Sequence, residues 1–501
     1  MSSIMREDWI ECELGEVFNV VSGNTPAELK EANKEGDIPF FKVSDMNYAG
    51  NEVFMKHSNI FLNKIDIIKL KIKLYPKETV IFPKRGGAIL TNKKRILISE
   101  AGFDLNLMGV LPNNYVIGTY AYYWFLKLDL CEIYDGSNVP QINNKNILPL
   151  LFPLAPLPIQ RAIVSKIEAL FSDLDNGIAN FKKAQEQLKI YRQAVLKKAF
   201  EGGFLITNEE LRITEAITNE ELRITETIKN EELRITNEEN YSNHNNQINH
   251  SSDNLPKGWK WVKLGEEFDF IGGGTPSKQN SDYWNGDLFW CSVKDVKGDY
   301  LHKTIDRITR KGLNESASNL AQPEEVILIT RISPGKTIIS KVETAINQDL
   351  KVVKPKREYL PKLIHYLFQA YERDVIKLSS GTTVLGINLT NLKSIEIPFL
   401  TIEEQTQIVQ EIESRLSVTD NLEFVIRNSI EKAEALRQSI LKKAFEGKLL
   451  SQAEIEQCKQ AADYEPASEL LKKIQAEKLA TLRQAQDAKK KKPTVKKKSK
   501  K

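Results

Sequence analysis

The sequence predicts an α+β protein: two mixed α/β domains related by pseudo-two-fold symmetry and joined by two long antiparallel coiled-coil helices. Three observations lead there. The stretch Arg192-Gln193-Ala194-Val195-Leu196-Lys197-Lys198-Ala199-Phe200-Glu201-Gly202 returns as Arg437-Gln438-Ser439-Ile440-Leu441-Lys442-Lys443-Ala444-Phe445-Glu446-Gly447, with nine of eleven positions identical at an offset of 245 residues. Trp9, Leu14, Gly15, Glu16, Phe18, Gly23, Thr25, Pro26, Gly36, Asp37, Val43 and Asp45 all recur at an offset of 250. Each copy of the eleven-residue stretch closes a long helical pattern. In the first the seam residues are spaced three and four apart, the signature of a helix with a partner helix; in the second the seam is weaker in its first half, where Ile408 and Leu416 help.

Composition sets the class. An apolar share of 41% in 501 residues is ample for several cores. The formal charge of +4 hides an asymmetry: Lys489 to Lys501 carry nine lysines and no acid, which leaves −5 on the rest. Such a run reads first as a solvated end and second as a nucleic-acid arm. The four cysteines are far apart and fit neither a disulfide framework nor a zinc site. Met1 to Trp9 is polar, and the most apolar run, Ile147–Ile159, is short and holds four prolines. The expectation is a cytoplasmic protein with no membrane partner.

In chain order, residues 1–155 form the first domain. Its β-prone runs are Val17–Val21, Ile38–Val43, Thr79–Phe82 and Ile96–Ile98, punctuated by Gly, Asn and Pro. The aromatics Tyr120, Tyr122, Tyr123, Trp124 and Phe125 read as core on one helix. Residues 156–203 are the first long helix, with a seam at Ile167, Leu170, Leu174, Gly177, Phe181, Ala184, Leu188, Tyr191 and Val195. Some 40 residues give a rod of roughly 60 Å.

Residues 204–254 are linker, holding three 11-residue tandem repeats built on Asn-Glu-Glu-Leu-Arg-Ile-Thr and then an Asn-rich run. Residues 255–398 repeat the first domain. Residues 399–450 are the second long helix, started by a Thr401/Glu404 capping box and stopped at Gly447. Residues 451–501 supply a C-terminal helix, with Leu470, Leu471, Ile474 and Leu479, and the lysine-rich tail.

Catalytic signatures are scarce. Ile271-Gly272-Gly273-Gly274-Thr275-Pro276-Ser277-Lys278 lacks the glycine that a phosphate loop places before its lysine, and Pro276 removes a donor. The five histidines have no metal-ligand spacing, and Asp45 and Asp295 read as turn caps. What repeats is a framework, and what diverges is the surface on it. That combination suits DNA, whose half-sites recur about every 34 Å. A two-domain protein-binding scaffold with a coiled-coil spacer is the alternative.

The motif order resembles the specificity (S) subunit of type I restriction–modification systems over nearly the whole chain. Its carriers are Trp-x4-Leu-Gly-Glu and Gly-x-Thr-Pro in both copies, Asn106-Leu107-Met108-Gly109, and the helix starts Pro156-Leu157-Pro158-Ile159-Gln160 and Leu400-Thr401-Ile402-Glu403-Glu404-Gln405. The Lys-Lys-Ala-Phe-Glu-Gly helix ends and Tyr464-Glu465-Pro466-Ala467-Ser468 complete it.

The resemblance implies a non-catalytic chain with two target-recognition domains, each reading one half of an interrupted asymmetric site in double-stranded DNA. It implies partners: two modification (methyltransferase) subunits and the restriction (nuclease and translocase) subunits. S-adenosylmethionine, ATP and magnesium would sit on those partners, with no cofactor, metal or catalytic residue here. Exposed apolar positions on the long helices and the Pro466–Leu479 helix are expected to meet the modification subunits. Candidate DNA-binding residues on matched loops are Asn24, Thr25, Lys42, Ser44, Lys84, Arg85, Ser137, Asn138 and Gln141 in the first domain. In the second they are Thr275, Ser277, Lys294, Arg331, Lys336, Thr382 and Thr383.

Overall fold

The computed structural model describes residues 8–29, 35–202, 259–381 and 383–490. The 11-residue repeats, the Asn-rich run, the tail beyond Lys490 and Thr382 lie outside the described residues. The chain forms two compact units. One comprises residues up to Asn176 and from Glu431 onward, the other the described residues between Gly177 and Ile430.

In the first unit the strands are β1 (Ile10–Glu13), β2 (Val20–Ser22), β3 (Ile38–Phe41), β4 (Phe54–Met55), β5 (Ile60–Leu62), β6 (Val80–Pro83), β7 (Arg95–Leu97), β8 (Gly102–Phe103), β9 (Leu107–Val110) and β10 (Leu151–Leu154). They form a five-stranded sheet in the order β2-β9-β6-β7-β4, a three-stranded sheet β5-β3-β8 and the pair β1-β10. Phe41, Ile81, Leu97, Phe103 and Leu107 meet in one apolar cluster. Val17, expected to begin a strand, instead ends a helical turn, Leu14–Val17, because the Glu16 carboxylate accepts from Glu13 N–H at 3.0 Å and fixes a capping box. The helix Gly118–Lys127 buries all five of its aromatics, and Tyr120 O–H donates to Pro153 O at 2.9 Å.

The second unit repeats this plan with β11 (Trp261–Lys263), β12 (Phe268–Gly272), β13 (Trp284–Cys291), β14 (Tyr300–Leu301), β15 (Asp306–Ile308), β16 (Asn319–Ala321), β17 (Val326–Ile329), β18 (Thr337–Ser340), β19 (Thr344–Ile346), β20 (Leu350–Pro355) and β21 (Glu396–Pro398). The five-stranded order is β12-β20-β17-β18-β14, which matches the first unit strand for strand. Its second sheet, β15-β13-β19-β16, has one strand more.

Two helices of 44 residues each, Leu157–Phe200 and Ile402–Phe445, complete the units. The apolar periodicity dictates their packing: Ile167, Leu174, Phe181, Leu188 and Val195 are buried, as are Ile408, Ile412, Leu416, Ile426, Ala433 and Ile440. The capping box at Thr401 forms, with Thr401 N–H donating to Glu404 Oε2 at 2.8 Å and Glu404 N–H to Thr401 Oγ1 at 3.3 Å. In each unit the opening half of one long helix lies against the closing half of the other. In the first unit Arg437 pairs with Asp175 and stacks on Phe171; in the second, Arg192 pairs with Asp420.

A buried glutamine ties each domain to its helix. Gln160 accepts from Ile117 N–H at 2.9 Å and donates to Tyr115 O and Ala155 O at 3.0 and 2.7 Å. Gln405, 245 residues on, accepts from Leu360 N–H at 3.0 Å and donates to Glu358 O and Leu400 O at 3.3 Å. Ile117 and Leu360 are the caps of the helices Gly118–Lys127 and Pro361–Ala370, so both junctions are built alike.

The C-terminal helix, Ala467–Lys490, packs on the first domain. Leu470 at 2% and Ile474 at 3% exposure are covered within its own unit. Lys478 Nζ donates to Gly15 O and Phe18 O at 2.7 and 2.9 Å, and Tyr115 O–H donates to Glu477 at 2.6 Å. Leu479 stays half exposed, as do Ile190 and Phe424 on the long helices.

Candidate nucleic-acid interface

Strand register gathers the candidate residues at one end of each sheet system. In the first domain β2 leaves the sheet at Ser22, opposite Met108, and β6 leaves at Pro83, opposite Leu107. β3 ends at Phe41, beside Phe103. The Gly23–Pro26 turn, the Asp104–Asn106 turn, Lys42 and the Lys84–Gly87 loop therefore share an end. The second domain does the same with Gly272 opposite Lys351, Ile329 opposite Leu350, and Cys291 beside Ile346.

The glycine of each Gly-x-Thr-Pro turn is there because backbone passes against it. A Cβ on Gly23 would lie 2.1 Å from Asp104 O, and one on Gly273 would lie 2.2 Å from Ile346 O. Thr25 Oγ1 accepts from Leu105 N–H at 3.1 Å, and Thr275 O–H donates to the Gln348 side-chain carbonyl. The arginine loops are clasped in the same way. Lys84 N–H donates to Asn106 O at 2.8 Å and Thr330 N–H to Asp349 O at 2.9 Å. Arg85 bridges backbone to Gln141, and Arg331 to Gly386.

Charge concentrates at these ends. In the first domain the Asp104 carboxyl, 6% exposed, is pushed up by burial and held down in part by the Asn106 amide and Lys42. Lys84 donates to Ser22 Oγ at 2.8 Å; burial lowers its pKa, Arg85 lowers it further, and Asp104 opposes both. In the second domain Arg331 Nη1 lies 3.1 Å from Asp349 Oδ1, with its own side chain half exposed. Lys351 is likewise lowered by burial, against Asp349. Cationic groups held by backbone turns at a sheet end are the type of surface that fixes a phosphate backbone.

Some candidates serve their own loops. Asn24 donates to Lys71 O at 3.3 Å and accepts from Lys73 N–H at 3.2 Å. Ser137 O–H sits 2.7 Å from Asp135 Oδ1 and 2.6 Å from Val139 O, and Ser44 bonds the Asp45 carboxylate. Gln141 N–H is held by the same Asp135. Asn138, Ser277, Lys294, Lys336 and Thr383 are exposed. Asp45 and Asp295 cap turns, accepting from Lys42 N–H and Ser292 N–H at 2.9 Å.

A cleft of about 520 Å³ in the second domain, lined by Thr275, Lys278, Trp290, Ser292, Lys294, Asp306, Asn347 and Gln348, is not announced by the sequence. Antiparallel pairing of β13 with β15 sets Asp306 opposite Trp290, a contact between distant residues that no local spacing announces. The available signal was the run of polar residues Asn347-Gln348-Asp349 at the position matched to Asp104-Leu105-Asn106.

A Thr–His–Asp chain also occurs. Thr337 Oγ1 lies 2.9 Å from His365 Nδ1, and His365 Nε2 lies 3.2 Å from Asp299 Oδ1. With Thr337 only 5% exposed on β18, the chain fastens the helix Pro361–Ala370 to the sheet; a hydroxyl so placed meets no substrate. The bond from His365 holds the Asp299 carboxyl below its usual range. Among the described residues no cluster of His, Cys, Asp and Glu is placed to hold a metal ion, and no helix is long and apolar enough to cross a membrane.

The model of the type I restriction modification DNA specificity domain matches the chain twice, over residues 6–183 and 256–432. The EcoR124I/EcoR124II specificity subunit of Escherichia coli is 29% identical over 179 residues, covering 34% of this chain and 44% of that relative, less than half its length. The EcoBI specificity subunit of Escherichia coli is 25% identical over 488 residues, covering 95% of this chain and 94% of the relative. A solved chain from work on the assembly and conformational transition of the type I R-M system aligns with a TM-score of 0.62 at 18% identity, covering 89% of this chain and 99% of that one, and so shares the fold. The chain belongs to the type I restriction–modification DNA specificity family and carries that family's domain twice.

Proposed function

We propose that this chain is the non-catalytic DNA-specificity subunit of a type I restriction–modification complex. Each domain reads one half of an interrupted, asymmetric site in double-stranded DNA, and the two long helices set the unread spacer between the halves. The chain docks two modification subunits and the restriction subunits. S-adenosylmethionine serves the modification subunit, and ATP and magnesium the restriction subunit; none is held here. The sheet-end residues carry the DNA contact: Thr25, Lys42, Lys84 and Arg85 in one domain, and Thr275, Lys294 and Arg331 in the other.

One observation carries the reading. Two domains share a strand order and matched turns while presenting different side chains on them, and each is pinned to its helix by a repeat-matched glutamine, Gln160 or Gln405. A frame kept constant under differing surfaces is what reading two different half-sites requires. Electrophoretic shift of double-stranded DNA by the full chain between 50 and 200 mM salt tests it. Affinity should fall by at least about a hundredfold over that range, as counterion release demands for several phosphate contacts. Salt-insensitive binding to a protein partner, with no shift of DNA, would favour the scaffold alternative.

A further inference from the structure

The cleft beside the Gly273–Pro276 turn has an unusual charge inventory. Lys278, Lys294 and Asp306 all line it, and all three are exposed. None of the three side chains makes a hydrogen bond or ion pair with the described residues. Its floor is Trp290, 5% exposed and anchored by its indole N–H to Gly274 O at 3.2 Å. Thr275 holds the Gln348 side chain at the rim. The cleft thus sets two free ammonium groups and one free carboxylate around a buried, hydrogen-bonded indole. Elsewhere in this domain charged side chains find partners at short range, such as Arg310 with Glu343 and Lys341 with Glu324.

Among its described residues the first domain shows no counterpart. Register matches Asp306, opposite Trp290, with Ile60, opposite Phe40. Ile60 is 1% exposed and packs with Phe40, Leu62 and Ile72, while Leu29, Ile67, Leu70 and Leu74 close over the cluster. At the offset of 250, Lys278 and Lys294 become Glu28 and Ser44. The same framework is filled with hydrocarbon in one copy and left open and charged in the other.

Resting on the specificity reading above, we propose that this cleft is a base-reading site of the second domain, which takes the edge of a base pair. Lys278 and Lys294 donate to acceptors such as the guanine O6 and N7, and Asp306 accepts from an exocyclic amino group. Free donors and a free acceptor lining one cleft suit the mixed edge of a base pair, whereas a phosphate would be repelled by Asp306. The matched place in the first domain reads nothing in this manner, so the two half-sites are read by different means.

The test uses the full chain assembled with its modification subunit and a panel of duplexes. These carry the site found by methylome mapping, with each base pair of each half replaced in turn. Asp306→Asn and Lys294→Met alter exposed side chains that no fold contact uses, and Glu28→Gln is the matched control. Each cleft variant should lose roughly tenfold in discrimination at one or two base pairs of one half-site only, while Glu28→Gln leaves that half unchanged. A uniform loss across all duplexes with a shallower salt slope would overturn the proposal by making the cleft a phosphate seat. Unchanged discrimination in both cleft variants would overturn it as well. If the unaltered assembly shows no preference among duplexes, it is the specificity reading itself that fails.

Discussion

Arg192 of the first long helix is ion-paired with Asp420 of the second, and its repeat-matched residue Arg437 is ion-paired with Asp175, the match of Asp420. One pair lies in each unit, at the same antiparallel register with the roles of the helices exchanged. Arg192 also lies 3.6 Å from Glu423. Flanking charge pairs of this kind select partner and direction in a coiled coil more than they add stability. A double-mutant cycle on Arg192→Met and Asp420→Asn, followed by urea unfolding, should give a coupling of about 0.5–1 kcal/mol that shrinks at 1 M salt. A coupling of zero at low salt would mean that the pair does not hold register.

The glutamine junctions should be costlier. Replacing Gln160 or Gln405 with leucine strands a half-buried backbone N–H and two carbonyls where the domain meets its long helix. Each change is expected to destabilise by about 2–4 kcal/mol, read as a lowered urea midpoint. DNA affinity should fall with it, because the domain loses its fixed hold on the helix. A variant as stable as the unaltered chain would show that apolar packing alone makes the junction.

The two arginine loops share a positive φ at matched positions but place different residues on it, with opposite consequences. Gly86 has φ +73° and ψ −169°, a region almost closed to side chains, although a Cβ there would meet nothing within 4 Å. The matched Ile332 sits at φ +77° and is 55% exposed. Gly86→Ala should therefore cost about 1–3 kcal/mol by backbone strain alone, whereas Ile332→Gly should stabilise by about 1 kcal/mol. Denaturant midpoints check both signs; equal signs would contradict the account.

Lys94 supplies the pH test. It is fully buried, donates to Asn92 Oδ1 and Leu128 O at 2.5 Å, and burial lowers its pKa from 10.5 to about 8, with Asp129 opposing. Below pH 8 both folded and unfolded states carry the proton and the burial cost is constant. Between about 8 and 10.5 the folded state gives up its proton first, so stability should rise with pH, by an amount on the order of 2–3 kcal/mol. Urea unfolding of the chain and of Lys94→Met at pH 7 and 9.5 isolates this term. The gain should be present in the former and missing in the latter.

How far the sequence carried is best seen in particular residues. The seam from Ile167 to Val195 and the capping box at Thr401 were legible because helix periodicity and cap chemistry are local. Gly23 and Gly273 were legible as turns, since a residue pressed against carbonyls 2.1–2.4 Å from its missing Cβ can only be glycine. The cleft was not, because Lys278, Asp306 and Gln348 meet through the β13–β15 and β13–β19 pairings, which are long-range. The destination of the C-terminal helix was also hidden: the amphipathic pattern of Leu470 and Ile474 announces a covered face without naming the cover. Asn24, a candidate for DNA contact, also bonds the backbone of Lys71 and Lys73, 47 and 49 residues away, which its local pattern does not announce.

On the proposed function, two domains built on one frame read two different half-sites across a fixed gap. Mapping methylated bases in a cell that expresses this chain with its modification subunit tests it most directly. The account predicts a single asymmetric motif, interrupted by a run of unspecified bases of constant length. A continuous palindromic motif, or two identical half-sites, would contradict it.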